Sequence, residues 1–129
     1  MARIVNASNF IDERGSLSVV EDDMLGFTPK RVFNLYNLNV NADRGNHGHK
    51  QSIVAMCCIS GSCEVYVNDG RKISTYKLDK PTQFLVLEAH EWHKMYDFAE
   101  NTIIQVLSSK NYDPDEYVFE EPKIELPKG

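Results

Sequence analysis

Apolar and polar residues alternate at every second position in short runs along most of this chain, and a period of two predicts strands. Arg31 to Val40 (RVFNLYNLNV) shows the pattern over its whole length. Val32, Asn34, Tyr36 and Leu38 fall on one face; Arg31, Phe33, Leu35 and Asn37 fall on the other. Asn41 to Asp43 predicts a turn, and Arg44 to Lys50 (RGNHGHK) a further strand. Gln51 to Ile59 is mostly apolar; its β-branched residues and the following Gly61 favour a buried strand over a helix. Cys63 to Val67 and Lys72 to Leu78 flank Asn68-Asp69-Gly70-Arg71, where Asp-Gly reaches positive φ at low cost and predicts a hairpin. Lys80-Pro81 turns into a strand over Gln83 to Leu87, and Glu88 to Glu91 turns again. Trp92 to Phe98 and Thr102 to Leu107 form the next pair. Nearer the start, Asp12 to Gly15 predicts a turn and Ser16 to Val20 a short strand, while Glu21 to Lys30, broken by Gly26 and Pro29, reads as irregular. After Ser109 the chain turns polar and acidic. Tyr112 to Tyr117 predicts a short helix or packed loop, and residues from about 119 to 129 a peripheral tail.

Many short strands joined by Gly, Pro, Asn and Asp turns, with almost no helical periodicity, predict one all-β domain over residues 1–129, a sandwich or barrel. A jelly-roll barrel carries its pocket in the mouth. Composition narrows the partners. The net charge of −5 argues against nucleic acid or an anionic membrane, both of which select a basic surface. No apolar run approaches the roughly 20 residues of a membrane span, and Met1 to Arg14 lacks the pattern of a signal peptide. Cys57, Cys58 and Cys63 are odd in number, lack zinc spacing and lie in apolar segments, which points to reduced thiols and a cytoplasmic location.

The chemistry centres on Arg44-Gly45-Asn46-His47-Gly48-His49-Lys50. On a strand His47 and His49 project into one space, and two imidazoles beside two cations suit proton transfer or metal binding. A second cluster, His90-Glu91-Trp92-His93, offers His93 at a strand start as a pocket residue; His90 reads as an exposed turn residue and Trp92 as core or pocket wall. Cupins, a jelly-roll family, use H-x-H, a nearby glutamate and a later histidine to hold a metal. His47, His49 and His93 supply three nitrogens, yet Gln51 to Val54 provides no glutamate, and Lys50 opposes a dication. The other reading is acid–base chemistry beside a carbonyl, with Arg14, Arg31, Arg44 or Lys50 holding a diphosphate.

RGNHGHK, GSCEVYVNDG, LDKPTQFLVLEAHEWHKMYDF and VLSSKNYDPDEYV, together with DERGSL and KRVF, resemble the nucleotide-sugar 3,4-ketoisomerases, the WxcM-like group. The resemblance runs from about Ile11 to Tyr117. It implies a cupin-type jelly roll and a homodimer exchanging amino-terminal strands. It implies no metal and no cofactor. The reaction implied moves a ketone from C4 to C3 of a deoxyhexose on thymidine diphosphate, through an enediol, for 3-amino-3,6-dideoxy sugars of a bacterial surface polysaccharide. On this resemblance His49 is the principal base, His47 its proton-shuttling partner and Tyr36 a hydrogen-bond donor to the enediolate. Arg44, Arg14, Arg31, Lys50 and His93 are the substrate-binding residues. Asn46, Gly48, Val54, Phe33-Asn34 and Glu88 to Glu91 depart from the family pattern. These departures keep two alternatives open, a sugar-binding cupin without turnover and a metal-dependent cupin enzyme.

Overall fold

A computed structural model describes residues 1–124; the far part of the expected tail, 125–129, lies outside the described residues. The strands are β1 (Arg3–Asn6), β2 (Ser8–Asp12), β3 (Gly15–Val19), β4 (Arg31–Leu35), β5 (Arg44–His49), β6 (Val54–Ser60) and β7 (Cys63–Asn68). They continue as β8 (Ile73–Leu78), β9 (Gln83–Leu87), β10 (Trp92–Tyr96), β11 (Ile103–Ser108) and β12 (Tyr117–Val118). Every pairing is antiparallel. One five-stranded sheet has the order β1-β9-β6-β11-β4, the other β12-β5-β10-β7-β8, and β2-β3 is a separate hairpin. The all-β expectation therefore holds, as a jelly-roll sandwich.

Two apolar layers hold it together. Between the sheets lie Val54, Met56, Cys58, Leu85, Leu87, Ile104 and Val106 from the first, meeting Cys63, Val65, Val67, Leu78 and Met95 from the second. The first sheet is buried on its outer face too: Ala55, Cys57, Phe84, Val86 and Leu107 sit under Ala7 and Leu25. Cover on both faces explains why Gln51 to Ile59 reads as a continuous apolar run rather than an alternating one. The predicted hairpin joins β7 to β8; Gly70 takes φ 89°, and Asp69 Oδ1 accepts from the N–H groups of Arg71 and Lys72 at 2.8 Å each.

Three expectations change. The strand predicted for Arg31 to Val40 stops at Leu35, because Asn37 adopts a left-handed φ of 53° and cannot continue a ladder. Trp92 to Phe98 and Thr102 to Leu107 do not pair: β10 lies between β5 and β7, whereas β11 crosses to the other sheet between β6 and β4. The segment taken as irregular holds one helical turn, α1 (Asp22–Leu25), closed by Gly26 at φ 81° and anchored by buried Leu25.

Candidate active site

The site begins at a fault in the β5–β10 ladder. His47 pairs with His93 but Gly45 pairs with Lys94, so Asn46 is an extra residue on β5. Gly45 and Asn46 both take positive φ, 95° and 58°. Such a bulge re-aims neighbouring side chains. Beyond it the strand resumes its alternation, and His47 and His49 share a face as expected, with ring centroids 5.0 Å apart. His93 projects from the opposing strand onto the same face, 5.0 Å from His47 and 6.4 Å from His49.

Their protonation follows from their surroundings. His47 Nδ1 lies 2.9 Å from the Gly45 carbonyl. A carbonyl only accepts, so Nδ1 carries the proton and Nε2 is left with its lone pair. Burial lowers the His47 pKa, opposed by that hydrogen bond. Burial pushes His49 down to about 4, with His47 adding to the shift and the charge of Glu116 opposing it. Burial pushes His93 down to about 3, helped by the other two rings, and its Nδ1 has no hydrogen-bond partner. Burial thus favours the neutral form of all three imidazoles, most strongly at His93.

The carboxyl-terminal segment closes one side. Asp113 caps a 3-10 turn over Pro114–Glu116, accepting from Asp115 N–H at 3.0 Å. Tyr117 then pairs with His49 in register, its ring 4.7 Å from His47 and 5.1 Å from His49. Phe119 stacks on Tyr117 at 5.9 Å. Glu116 is buried and held well ionised, at about 2, chiefly by its hydrogen bond from Ser52. Arg31 enters from β4, its guanidinium 4.5 Å from the Phe33 ring and 5.2 Å from the Tyr112 ring, with Nη1 3.5 Å from the Tyr117 hydroxyl.

The structure thus gathers His47, His49, His93 and Arg31 of the residues singled out from the sequence. Tyr36 is a correction: early termination of β4 leaves it 65% exposed, and the tyrosine against the histidines is Tyr117. Arg14 is exposed at the tip of the β2–β3 hairpin, paired with Asp12 at 2.7 Å. Arg44 and Lys50 are exposed, and Arg44 borders a cleft with Tyr36 and Asn39. His90 is an exposed turn residue at φ 66° and Trp92 is buried, both as read. A cleft of about 590 Å³ is lined by Asn34, Tyr36, Leu38, Glu100 and Thr102 rather than by the histidines. Among the described residues no group of three His, Cys, Asp or Glu side chains has the spacing to hold a metal ion. Sequence reading missed Tyr117 and Glu116. Their only local signal is the capped Asp113-Pro114 turn, which announces a stop but not where the chain docks.

A family model described as FdtA, WxcM-like, C-terminal, matches residues 1–124. The chain belongs to this family. Among WxcM-like relatives it is 34% identical over 117 residues to a TDP-4-oxo-6-deoxy-alpha-D-glucose-3,4-oxoisomerase of Aneurinibacillus thermoaerophilus, spanning 90% of this chain and 84% of that one. The WlaRB TDP-quinovose 3,4-ketoisomerase of Campylobacter jejuni superposes with a TM-score of 0.88 at 31% identity, covering 92% of each chain. QdtA, a sugar 3,4-ketoisomerase of Thermoanaerobacterium thermosaccharolyticum crystallised with TDP, superposes with a TM-score of 0.89 at 25% identity, covering 92% of this chain and 88% of QdtA.

Proposed function

We propose that this WxcM-like protein is a nucleotide-sugar 3,4-ketoisomerase acting on a 4-keto-6-deoxyhexose linked to thymidine diphosphate, with His49 as the base. The observation that carries the reading is the convergence of His47, His49 and His93, whose neutral forms burial favours, on one inner face beside Arg31. The relatives' activities supply the substrate class. His49 takes the C3 proton and O4 gains one, giving an enediol. Return of a proton to C4 and loss of one from O3 leave the ketone at C3. His47, with a free Nε2, carries the proton between the two oxygens. Tyr117, whose ring packs on His47 and His49, takes in this reading the role of hydrogen-bond donor to the enediolate that the sequence had given to Tyr36. No redox cofactor enters, since the electrons stay within the sugar. The product suits an aminotransferase that makes a 3-amino-3,6-dideoxy sugar.

The reading includes a homodimer. Phe10, Ile11 and Leu17 are more than half exposed on the β2–β3 hairpin, and Val32 and Ile59 are exposed on the outer side of the first sheet. A second copy would cover these apolar surfaces and carry Arg14 toward the neighbouring site; Arg44 and Lys50 would hold the diphosphate. A monomer by sedimentation would contradict this part. Three free, buried cysteines accord with a reducing, cytoplasmic setting. Among the described residues no helix is long and apolar enough to cross a membrane.

The test is proton NMR with thymidine-diphosphate-4-keto-6-deoxyglucose in deuterated water. Exchange of the C3 proton and growth of a 3-keto product are expected, with His49→Asn slowing exchange by about 10²–10⁴. Binding without exchange would assign a sugar-binding role instead, and exchange untouched by His49→Asn would remove His49 as base.

A further inference from the structure

The proton steps leave the most heavily solvated-by-protein carboxylate of the site unused. Glu116 Oε1 accepts from Ser52 N–H at 2.8 Å, Ser52 Oγ–H at 2.7 Å and Gln51 N–H at 3.1 Å. Its backbone carbonyl accepts from Lys50 N–H at 2.9 Å. One residue therefore grips three successive positions immediately after the histidine strand. The next residue, Tyr117, is the one packed on His47 and His49.

Between this carboxylate and the base lies a polar cavity of about 10 Å³, lined by His49, Arg31, Ser52, Ser108, Glu116 and Tyr117. That is close to the room one water molecule needs. The groups facing His49 are His47 from its own strand, His93 from β10, Arg31 from β4, and Tyr117 and Glu116 from the carboxyl-terminal segment. Asp113 lines the same cavity, and Lys110 Nζ lies 3.8 Å from Glu116 Oε2. Glu116 is the anion that counters burial at His49.

We propose that Glu116 is a positioning residue for the base: it clamps the carboxyl-terminal segment so that Tyr117 meets the histidines, and its charge, across a water-sized polar cavity, steadies the imidazolium that forms on His49. Glu116 takes no proton itself; the proton from the sugar stays on His49 until it is returned. The inference rests on the reading of His49 as base.

Charge and shape are separable here. Gln keeps the length of Glu116 and an accepting oxygen but has no charge; Asp keeps the charge but is shorter. Steady-state rates and C3 deuterium exchange are measured at pH 7 for the full-length protein and for Glu116→Gln, Glu116→Asp and His49→Asn, each with a thermal melt. Glu116→Gln is expected to lower kcat by about tenfold or more with KM within about threefold, and Glu116→Asp to retain more of the rate than Gln. The reverse order, Gln at least as active as Asp, would assign Glu116 a packing role only. Should Glu116→Gln fail to fold, Ser52→Ala keeps the charge but removes the hydroxyl that aims it. A drop of several-fold in kcat is expected there, and an unchanged kcat overturns the clamp. Full exchange by His49→Asn would instead sink the underlying reading, whichever order the Glu116 variants take.

Discussion

Replacing His93 by leucine should make the protein less sensitive to acid. His93 is 3% exposed, its Nδ1 is unpartnered, and burial holds its pKa at about 3. In the unfolded chain the same imidazole titrates near its ordinary 6.5. Between these values the unfolded state binds a proton that the folded state refuses, so stability falls as pH drops below 6.5. At pH 5.0 the gap is about 1.5 pH units, which at about 1.36 kcal/mol per unit is about 2 kcal/mol. His49, 9% exposed and held at about 4, contributes about the same by the same arithmetic. The unmodified protein should therefore lose about 4 kcal/mol between pH 7.5 and 5.0 from these two rings, and His93→Leu about 2 kcal/mol. Leucine has nearly the volume of histidine and brings no buried donor to satisfy, so it should cost little at pH 7.5. Urea unfolding followed by tryptophan fluorescence at both pH values measures each difference. Equal losses in the two proteins would refute the argument, because they would mean that His93 is already protonated, or solvated, in the folded state.

Three further outcomes follow from the packing. Gly61→Ala places a Cβ against the Thr102 hydroxyl and 2.8 Å from Thr102 Cα, at φ +80°, so a loss of about 3 kcal/mol or more is expected in thermal or urea unfolding. Gly45→Ala strains the bulge at φ +95° and puts a Cβ 3.2 Å from the His93 carbonyl and 3.3 Å from its ring. It should lower kcat by about tenfold or more with only about 1–2 kcal/mol lost in stability, and an unaffected kcat would show that the bulge does not set the histidine geometry. Burial pushes the Cys57 thiol up to about 11 and Cys63 up to about 12, and Cys58 is also raised. A thiol reagent at pH 8 should therefore label the three cysteines only on unfolding, and rapid labelling of the native protein would contradict their burial.

What the sequence determined by itself is the set of features with short-range causes. A period of two announced the strands, Asp69-Gly70 announced the hairpin, and H-x-H placed His47 and His49 on one face before any partner strand was known. The motifs distributed along the chain were enough to indicate the WxcM-like family, whose model matches residues 1–124. Only the tertiary structure decided what surrounds that face. His93 meets His47 because a bulge at Asn46 shifts the register of two strands separated by more than forty positions in the chain. Tyr117 and Glu116 arrive from beyond the last long strand, and a single left-handed residue, Asn37, stops β4 and leaves Tyr36 exposed outside the site. Alternation fixes which residues share a face, because it depends on neighbours along the backbone. Where a strand stops, which strand it pairs with and which distant segment caps it depend on the competing burial of the whole chain, and those choices assemble three imidazoles, an arginine and a carboxylate into one site.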